Sequence, residues 1–233
     1  MNRPFEVITF DCYGTLIDWE QGIVRAFLHA AAQDGLELEP EEIVRVFSEV
    51  EPEVEGGVFT TYRHVLAEAA VETAARLGWT ITPMRATFLA ESLPFWEPFP
   101  DTNPALTRLA AAGYRLGILS NVDDDLLTAT RRHFPVSFDL VVTAEQVMSY
   151  KPAHGHFLEA RRRIGARPWL HVAQSYFHDV APSWDLAVPV VWINRKGEPA
   201  TGKVHPLAIL RDLEGLDRWL ETTRYRASGH TPT

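Results

Sequence analysis

Apolar and polar positions follow two different periods along this chain. Val7, Ile8 and Phe10 make a short β-branched and aromatic run, the signature of a buried strand. It stops at Asp11, and Gly14 then permits a sharp turn. From residue 18 to 96 only helical spacing follows. Ile23, Ala26, Phe27 and Ala30 share one face, and Gly35 ends that helix. Pro40-Glu41-Glu42 opens a second helix with acid in its first turn. A third runs over about 60–77 with Val65, Leu66, Ala69 and Ala70 inward, Gly78 closes it, and a fourth follows Thr82-Pro83. Strand–helix alternation then resumes. Strands are expected at 115–119, 138–142, 170–173 and 188–193, and helices at 104–112, 124–133, 155–164, 182–186 and 216–222.

Strands separated by helix-length intervals predict an α/β fold with a doubly wound parallel sheet and right-handed crossovers. The helical stretch after the first strand predicts a separate small domain. Core segments are placed at 1–17 and 97–225, the helical insertion at 18–96, and a frayed tail at 226–233.

With 46% apolar and 23% charged residues, the 233-residue chain has an ordinary globular composition. A net charge of −9 argues against nucleic acid or an anionic membrane as partner. Cys12 is the only cysteine, so no intrachain disulfide forms, and it reads as a small apolar filler rather than a reactive thiol. Neither a signal peptide nor a membrane-length apolar run is evident, so a cytoplasmic protein is expected.

Polar residues collect at the predicted strand ends. Asp11, Ser120-Asn121 and Gln174-Ser175 each sit at or after a carboxyl end, and Lys151-Pro152 lies in a loop following another. Each has a structural explanation of its own, Asp11 as a turn cap, Ser120 as a helix cap and Lys151 as a solvated charge. Together they put a carboxylate, a hydroxyl–amide pair and a cation where such sheets bind ligands.

That order resembles the haloacid dehalogenase superfamily across nearly the whole chain. The matching stretches are Phe10-Asp11-Cys12-Tyr13-Gly14-Thr15, Ile118-Leu119-Ser120-Asn121, Tyr150-Lys151-Pro152, the block from His171 to Asp179, and Val191-Trp192-Ile193-Asn194-Arg195. The resemblance implies a Rossmann-like core, an inserted helical cap and Asp11 as a nucleophile forming a covalent intermediate. Phosphatases of the superfamily carry a second Asp two residues after the nucleophile, where this chain has Tyr13, a poor acid with an ordinary pKa near about 10. They also carry a magnesium-ligating Asp where this chain aligns Gln174. Both departures resemble the metal-free (S)-2-haloacid dehalogenase branch.

The resemblance implies that Asp11 attacks a 2-haloalkanoate in line, with Lys151 keeping it ionised and Thr15 supporting its loop. Asp179 would orient the water that hydrolyses the ester. Ser120 and Asn121 would hold the substrate carboxylate, with Tyr13, Gln174, Ser175 and Tyr176 lining the site. The branch uses a cap arginine for the halide, and Arg45 and Arg63 are the two choices. No cofactor is expected, magnesium entering only under a phosphatase alternative. A protein that binds a small anion without turnover is the third reading. Asp123 to Asp125, Glu51 and Glu55 are more acidic than an anionic substrate wants, and His154, His156 and His178 read as a polar rim. The partner is a small-molecule 2-haloacid, and a homodimer is left open.

Overall fold

The computed structural model describes residues 3–200 and 204–227. Its sheet has six parallel strands in the order β3-β2-β1-β4-β5-β6. β1 (Val7–Phe10) is central and buried throughout, which is why it reads as a continuous apolar run without alternation. β2 (Arg115–Ser120) and β3 (Leu140–Thr143) lie on one side. β4 (Trp169–Ala173), β5 (Val190–Ile193) and β6 (Ala208–Leu210) lie on the other. The strand order therefore reverses at β1, and the crevice at its carboxyl end is the switch point where open α/β sheets take ligands.

Four helices follow β1: α1 (Trp19–Gln33), α2 (Pro40–Glu55), α3 (Tyr62–Arg76) and α4 (Phe88–Ser92). The expected fourth helix is broken. Tight turns at Arg85–Thr87 and Leu93–Phe95 flank α4, and Pro94 lacks the N–H a continuing helix needs. The chain enters and leaves this layer at one place, where Ile17 bridges Pro98 antiparallel and the Asp18 N–H donates to the Glu97 carbonyl at 2.9 Å. Gly22 of α1 lies under Trp96, and a Cβ there would come within 2.3 Å of the indole. The far side is pinned by the Asp123 carboxylate, which accepts the N–H groups of Tyr62 and Arg63 at 2.8 and 2.9 Å. A negative charge at the first turn of α3 suits the helix dipole. Apolar packing is continuous between layers, from Ile23, Phe27 and Phe47 to Phe10 and Leu16.

The alternation then closes with α5 (Thr102–Ala111), α6 (Asp124–Thr130), α7 (Ala144–Val147), α8 (Gly155–Ile164), α9 (Ala181–Asp185) and α10 (Leu213–Ala227). Strand β6 was not expected, being three residues long at the sheet edge with Ile209 facing out. Helix α10 runs past the expected end at 222 and includes the first two positions of the expected tail; residues 228–233 lie outside the described residues. No described helix is long and apolar enough to cross a membrane.

Candidate functional site

Register builds the floor of the site. Thr9 of β1 is level with Gly117 of β2 and His171 of β4. Trp169 and His171 are two apart on β4 and so share a face. The Trp169 indole N–H donates to Thr9 Oγ1 at 2.7 Å, and Thr9 Oγ1 lies 2.8 Å from His171 Nδ1. Since the indole only donates, the Thr9 proton is free to go to Nδ1. That leaves Nε2–H of His171 to donate to Asp179 Oδ1 at 3.0 Å. Phe157 packs edge-on against the same imidazole, with ring centroids 5.2 Å apart. The His171 ring is thus fixed on both edges and one face.

Asp179 sits in a five-residue π turn, Tyr176–Val180, capped by Ser175, whose Oγ accepts the His178 N–H at 3.0 Å. π turns are rare and concentrate at functional sites. The Lys151 ammonium donates to Asp179 Oδ1 at 2.7 Å, to Asp11 Oδ1 at 2.9 Å and to the Leu119 carbonyl at 3.0 Å. All three of its donors are used. Lys151 is itself clamped by Asn121, whose side-chain amide accepts the Lys151 N–H at 2.7 Å and donates to its carbonyl at 3.0 Å. The Lys151–Pro152 peptide is cis, and α8 begins at Gly155 as expected. On the other side, the Thr15 hydroxyl donates to Asp11 Oδ2 at 2.7 Å and accepts the Gln174 N–H at 2.9 Å.

Two buried carboxylates share one buried ammonium, and their acidities separate. Burial pushes the Asp11 carboxyl up, and the Asp179 charge adds to this against the pull of Lys151 and Thr15. The pull of Lys151 towards the ionised form is present, and dehydration outweighs it in setting the direction. Burial acts on Asp179 too, but there Lys151 and the His171 hydrogen bond overcome it and hold the carboxyl well below its usual range. Lys151 is kept charged by both partners despite its burial. Asp179 Oδ2 and Ser120 Oγ are buried with no hydrogen-bond partner among the described residues, and both residues line the cavity above Asp11.

That cavity measures about 640 Å³. Its core side carries Asp11, Tyr13, Ser120, Asn121, Lys151, Gln174, Ser175 and Tyr176, so the structure brings these expected site residues together. Thr15 lies behind them as the support of Asp11. Tyr13 is tied through its hydroxyl to Thr130 at 2.9 Å, packs edge-on against Trp96, and burial pushes its phenol well above the ordinary range. Burial likewise raises the Cys12 thiol, in keeping with a filler.

Arg45 and Arg63 are not in the cavity. Arg45 is exposed and bonded to Glu42 and Glu49 along α2, and Arg63 pairs with Asp125 at 2.6 Å. Neither faces the reacting centre because helical phase turns them outward, information that a choice by residue type does not contain. The cap instead presents Glu51 and Glu55, which are one turn apart on α2. Glu51 accepts the Tyr62 hydroxyl at 3.1 Å, and Glu55 accepts the Asn121 amide at 3.0 Å. Burial pushes Glu51 up to about 6. Burial and the Glu51 charge push Glu55 up to about 9. Asn121, expected to hold substrate, is therefore occupied by Lys151 and Glu55. His156 is no rim residue. It is fully buried, donates through Nε2 to the Ser120 carbonyl at 3.1 Å, and burial lowers its pKa to about 3.

Magnesium does not fit this donor set. Lys151 occupies the space between the two carboxylates, Asp11 Oδ2 is taken by Thr15, and Gln174 supplies an amide where a hard dication wants a charge. Among the described residues no three His, Cys, Asp or Glu side chains gather as a metal site. Sequence reasoning missed His171 and Thr9, whose roles depend on strand register, and Arg195 and Lys196 in the cavity wall. Arg195 lies over Phe99 and bonds Asp101 at 3.0 Å, and Lys196 pairs with Glu20.

A family model described as haloacid dehalogenase-like hydrolase matches residues 5–172. An (S)-2-haloacid dehalogenase of Pseudomonas putida is 28% identical over 94% of this chain and 97% of its own length. A glyceraldehyde 3-phosphate phosphatase of Methanothermobacter thermautotrophicus is 27% identical over 81% of this chain and 85% of its own. The solved L-2-haloacid dehalogenase of Xanthobacter autotrophicus with chloropropionic acid covalently bound shares the fold, with a TM-score of 0.79 and 20% identity over 93% of this chain and 98% of that one.

Proposed function

This chain belongs to the haloacid dehalogenase-like hydrolase family, and from that premise we propose that it is an (S)-2-haloacid dehalogenase working through an ester on Asp11. The observation that carries the reading is at position 13. The Tyr13 hydroxyl is hydrogen-bonded to Thr130 and burial raises its pKa well above the ordinary range, so the residue two places after the nucleophile is a poor proton donor. A halide leaves as a stable anion and needs none, whereas an alkoxide leaving from a phosphate ester does.

In this reading Asp11 displaces halide from the α-carbon in line, held in aim by Lys151 and Thr15. Lys151 keeps the nucleophile charged against its dehydration. The unpartnered Ser120 hydroxyl receives the substrate carboxylate. Water then attacks the ester carbonyl, oriented by the free Oδ2 of Asp179, whose other oxygen is held by His171 and Lys151. Two (S)-2-haloacid dehalogenases of Pseudomonas putida, aligned over 97% and 99% of their own length, support the same choice.

Halide release from the separate enantiomers of 2-chloropropionate and 2-bromopropionate tests it, beside a panel of phosphate esters with and without magnesium. Release from the (S) acids alone is expected. Magnesium-dependent phosphate release without halide would overturn the reading and make the chain a phosphatase.

A further inference from the structure

The cavity is larger and more acidic on its cap side than a small haloacid requires. At roughly 30 Å³ per water it has room for about twenty waters, so a three-carbon acid fills only a small part of it. Among the described residues, every lysine or arginine that reaches the wall is already neutralised. Lys151 lies between Asp11 and Asp179, Arg195 on Asp101, and Lys196 on Glu20. Glu51 and Glu55 have no lysine or arginine partner among the described residues. Their nearest companions are a phenol, an amide and the His178 imidazole, whose Nε2 is 3.7 Å from Glu55. Yet the Glu55 side chain is only 6% exposed. Buried acids of one sign are costly unless a cation or a proton meets them.

Two further atoms, on the core side, show that the cavity faces a ligand. Ser120 Oγ, beside the Asn121 that holds Glu55, and Asp179 Oδ2 are both fully buried, line the same cavity, and lack a partner among the described residues. A cavity with a free hydroxyl and a free carboxylate oxygen on the core side and two carboxyls without a cation on the cap side suits a ligand that carries an anionic group at one end and a hydrogen-bond donor at the other.

We propose that the substrate carries an ammonium group some carbons away from the carbon attacked by Asp11, and that Glu51 and Glu55 bind it. Resting on the proposed reaction, the substrate class is an ω-amino 2-haloacid rather than a simple haloalkanoate. Tyr62 and Asn121 orient the two carboxyls, and Lys151 and His178 are the other titratable groups facing Glu55. In the free protein Glu55 holds a proton at neutral pH, and an arriving ammonium displaces it. Binding is then coupled to proton release.

The test uses matched pairs on the intact chain. Calorimetry at pH 7 compares 4-aminobutanoate with butanoate in two buffers of different ionisation enthalpy. The amine is expected to bind roughly tenfold tighter or better, the contribution of one charge-assisted hydrogen bond, with a proton released. Glu55→Gln and Glu51→Gln, each checked for an unchanged fold by circular dichroism, should shrink that preference, Glu55→Gln also removing the proton release. Equal or tighter binding of butanoate, or a preference that survives both substitutions, overturns the proposal. Halide release from 4-amino-2-chlorobutanoate and 2-chlorobutanoate is measured alongside. If neither is dehalogenated while the amine preference holds, the proposed reaction fails and the ammonium subsite stands. If 2-chlorobutanoate is the better substrate by kcat/KM, the reaction stands and the subsite falls.

Discussion

The Thr15 hydroxyl donates to Asp11 Oδ2 at 2.7 Å, four residues on in the same turn. It donates its proton to the nucleophile and accepts a hydrogen bond from the Gln174 N–H, so the turn after β1 and the turn after β4 are joined through a single oxygen. Thr15→Val keeps the shape and removes both bonds. It should lower kcat roughly 100-fold through misalignment of Asp11, with about 1–3 kcal/mol of stability lost from the unpaired amide. Thr15→Ser should restore most of both. Steady-state kinetics and urea unfolding read the two effects separately. Unchanged kcat in Thr15→Val would remove Thr15 from the alignment of Asp11.

Asp11→Asn should abolish turnover yet fold normally, because Asp179 still neutralises Lys151. A single turnover of the unsubstituted protein in oxygen-18 water should leave the label on Asp11 by peptide mass spectrometry. Label confined to the product would mean that water attacks the substrate directly.

Lys151→Met replaces a stem of similar length and leaves two buried carboxylates facing each other. Loss of activity is expected together with about 3–5 kcal/mol of destabilisation, the usual cost of removing one partner from a buried ion pair. Chemical denaturation at pH 7 measures it. A loss below about 1 kcal/mol would place Lys151 among weakly coupled surface pairs.

Glu55 gives the fold a pH dependence of definite sign. Its carboxyl is raised from an ordinary 4.5 to about 9, so the folded state binds the extra proton. The stability this contributes is complete below pH 4.5 and is lost as pH rises towards 9. The melting temperature should therefore fall between pH 6 and 9, and the fall should be smaller in Glu55→Gln, which is neutral throughout. Parallel curves for the two proteins would contradict the assignment.

Stereochemistry separates displacement at carbon from its alternatives. The Asp11 ester forms with inversion, and its hydrolysis breaks the acyl bond without touching the α-carbon again. An (S)-2-haloacid should give an (R)-2-hydroxy acid, read by chiral chromatography. Retention would exclude the single-displacement ester.

Where local sequence and tertiary position agreed, the residues alone were enough. Val7 to Gly14 form the central strand and its turn, and Asp11, Lys151 and Asp179 meet, because the ends of parallel strands bring distant residues to one edge. Two kinds of information were missing. Helical phase relative to the sheet decides that Glu51 and Glu55 face the cavity while Arg45 faces water. Strand register puts Thr9 beside His171 and so fixes the tautomer that serves Asp179, and one chain read alone does not reveal that pairing. The π turn was also illegible, since its extra residue is a matter of hydrogen-bond closure rather than composition.

The bridge between Ile17 and Pro98 has a consequence for how this architecture tolerates change. Because the chain departs and returns through adjacent residues, the distance to be spanned at that point is the same whatever lies between. Lengthening such an excursion costs only about 0.6 kcal/mol per doubling of its length. The junction behaves as a splice site. A different set of helices can be exchanged there without stretching β1 or shifting Asp11, provided something replaces the Trp96 indole that packs edge-on against Tyr13. Chemistry and selectivity are thereby inherited on separate pieces of chain, and a new lid changes which molecules arrive without re-tuning the nucleophile that meets them.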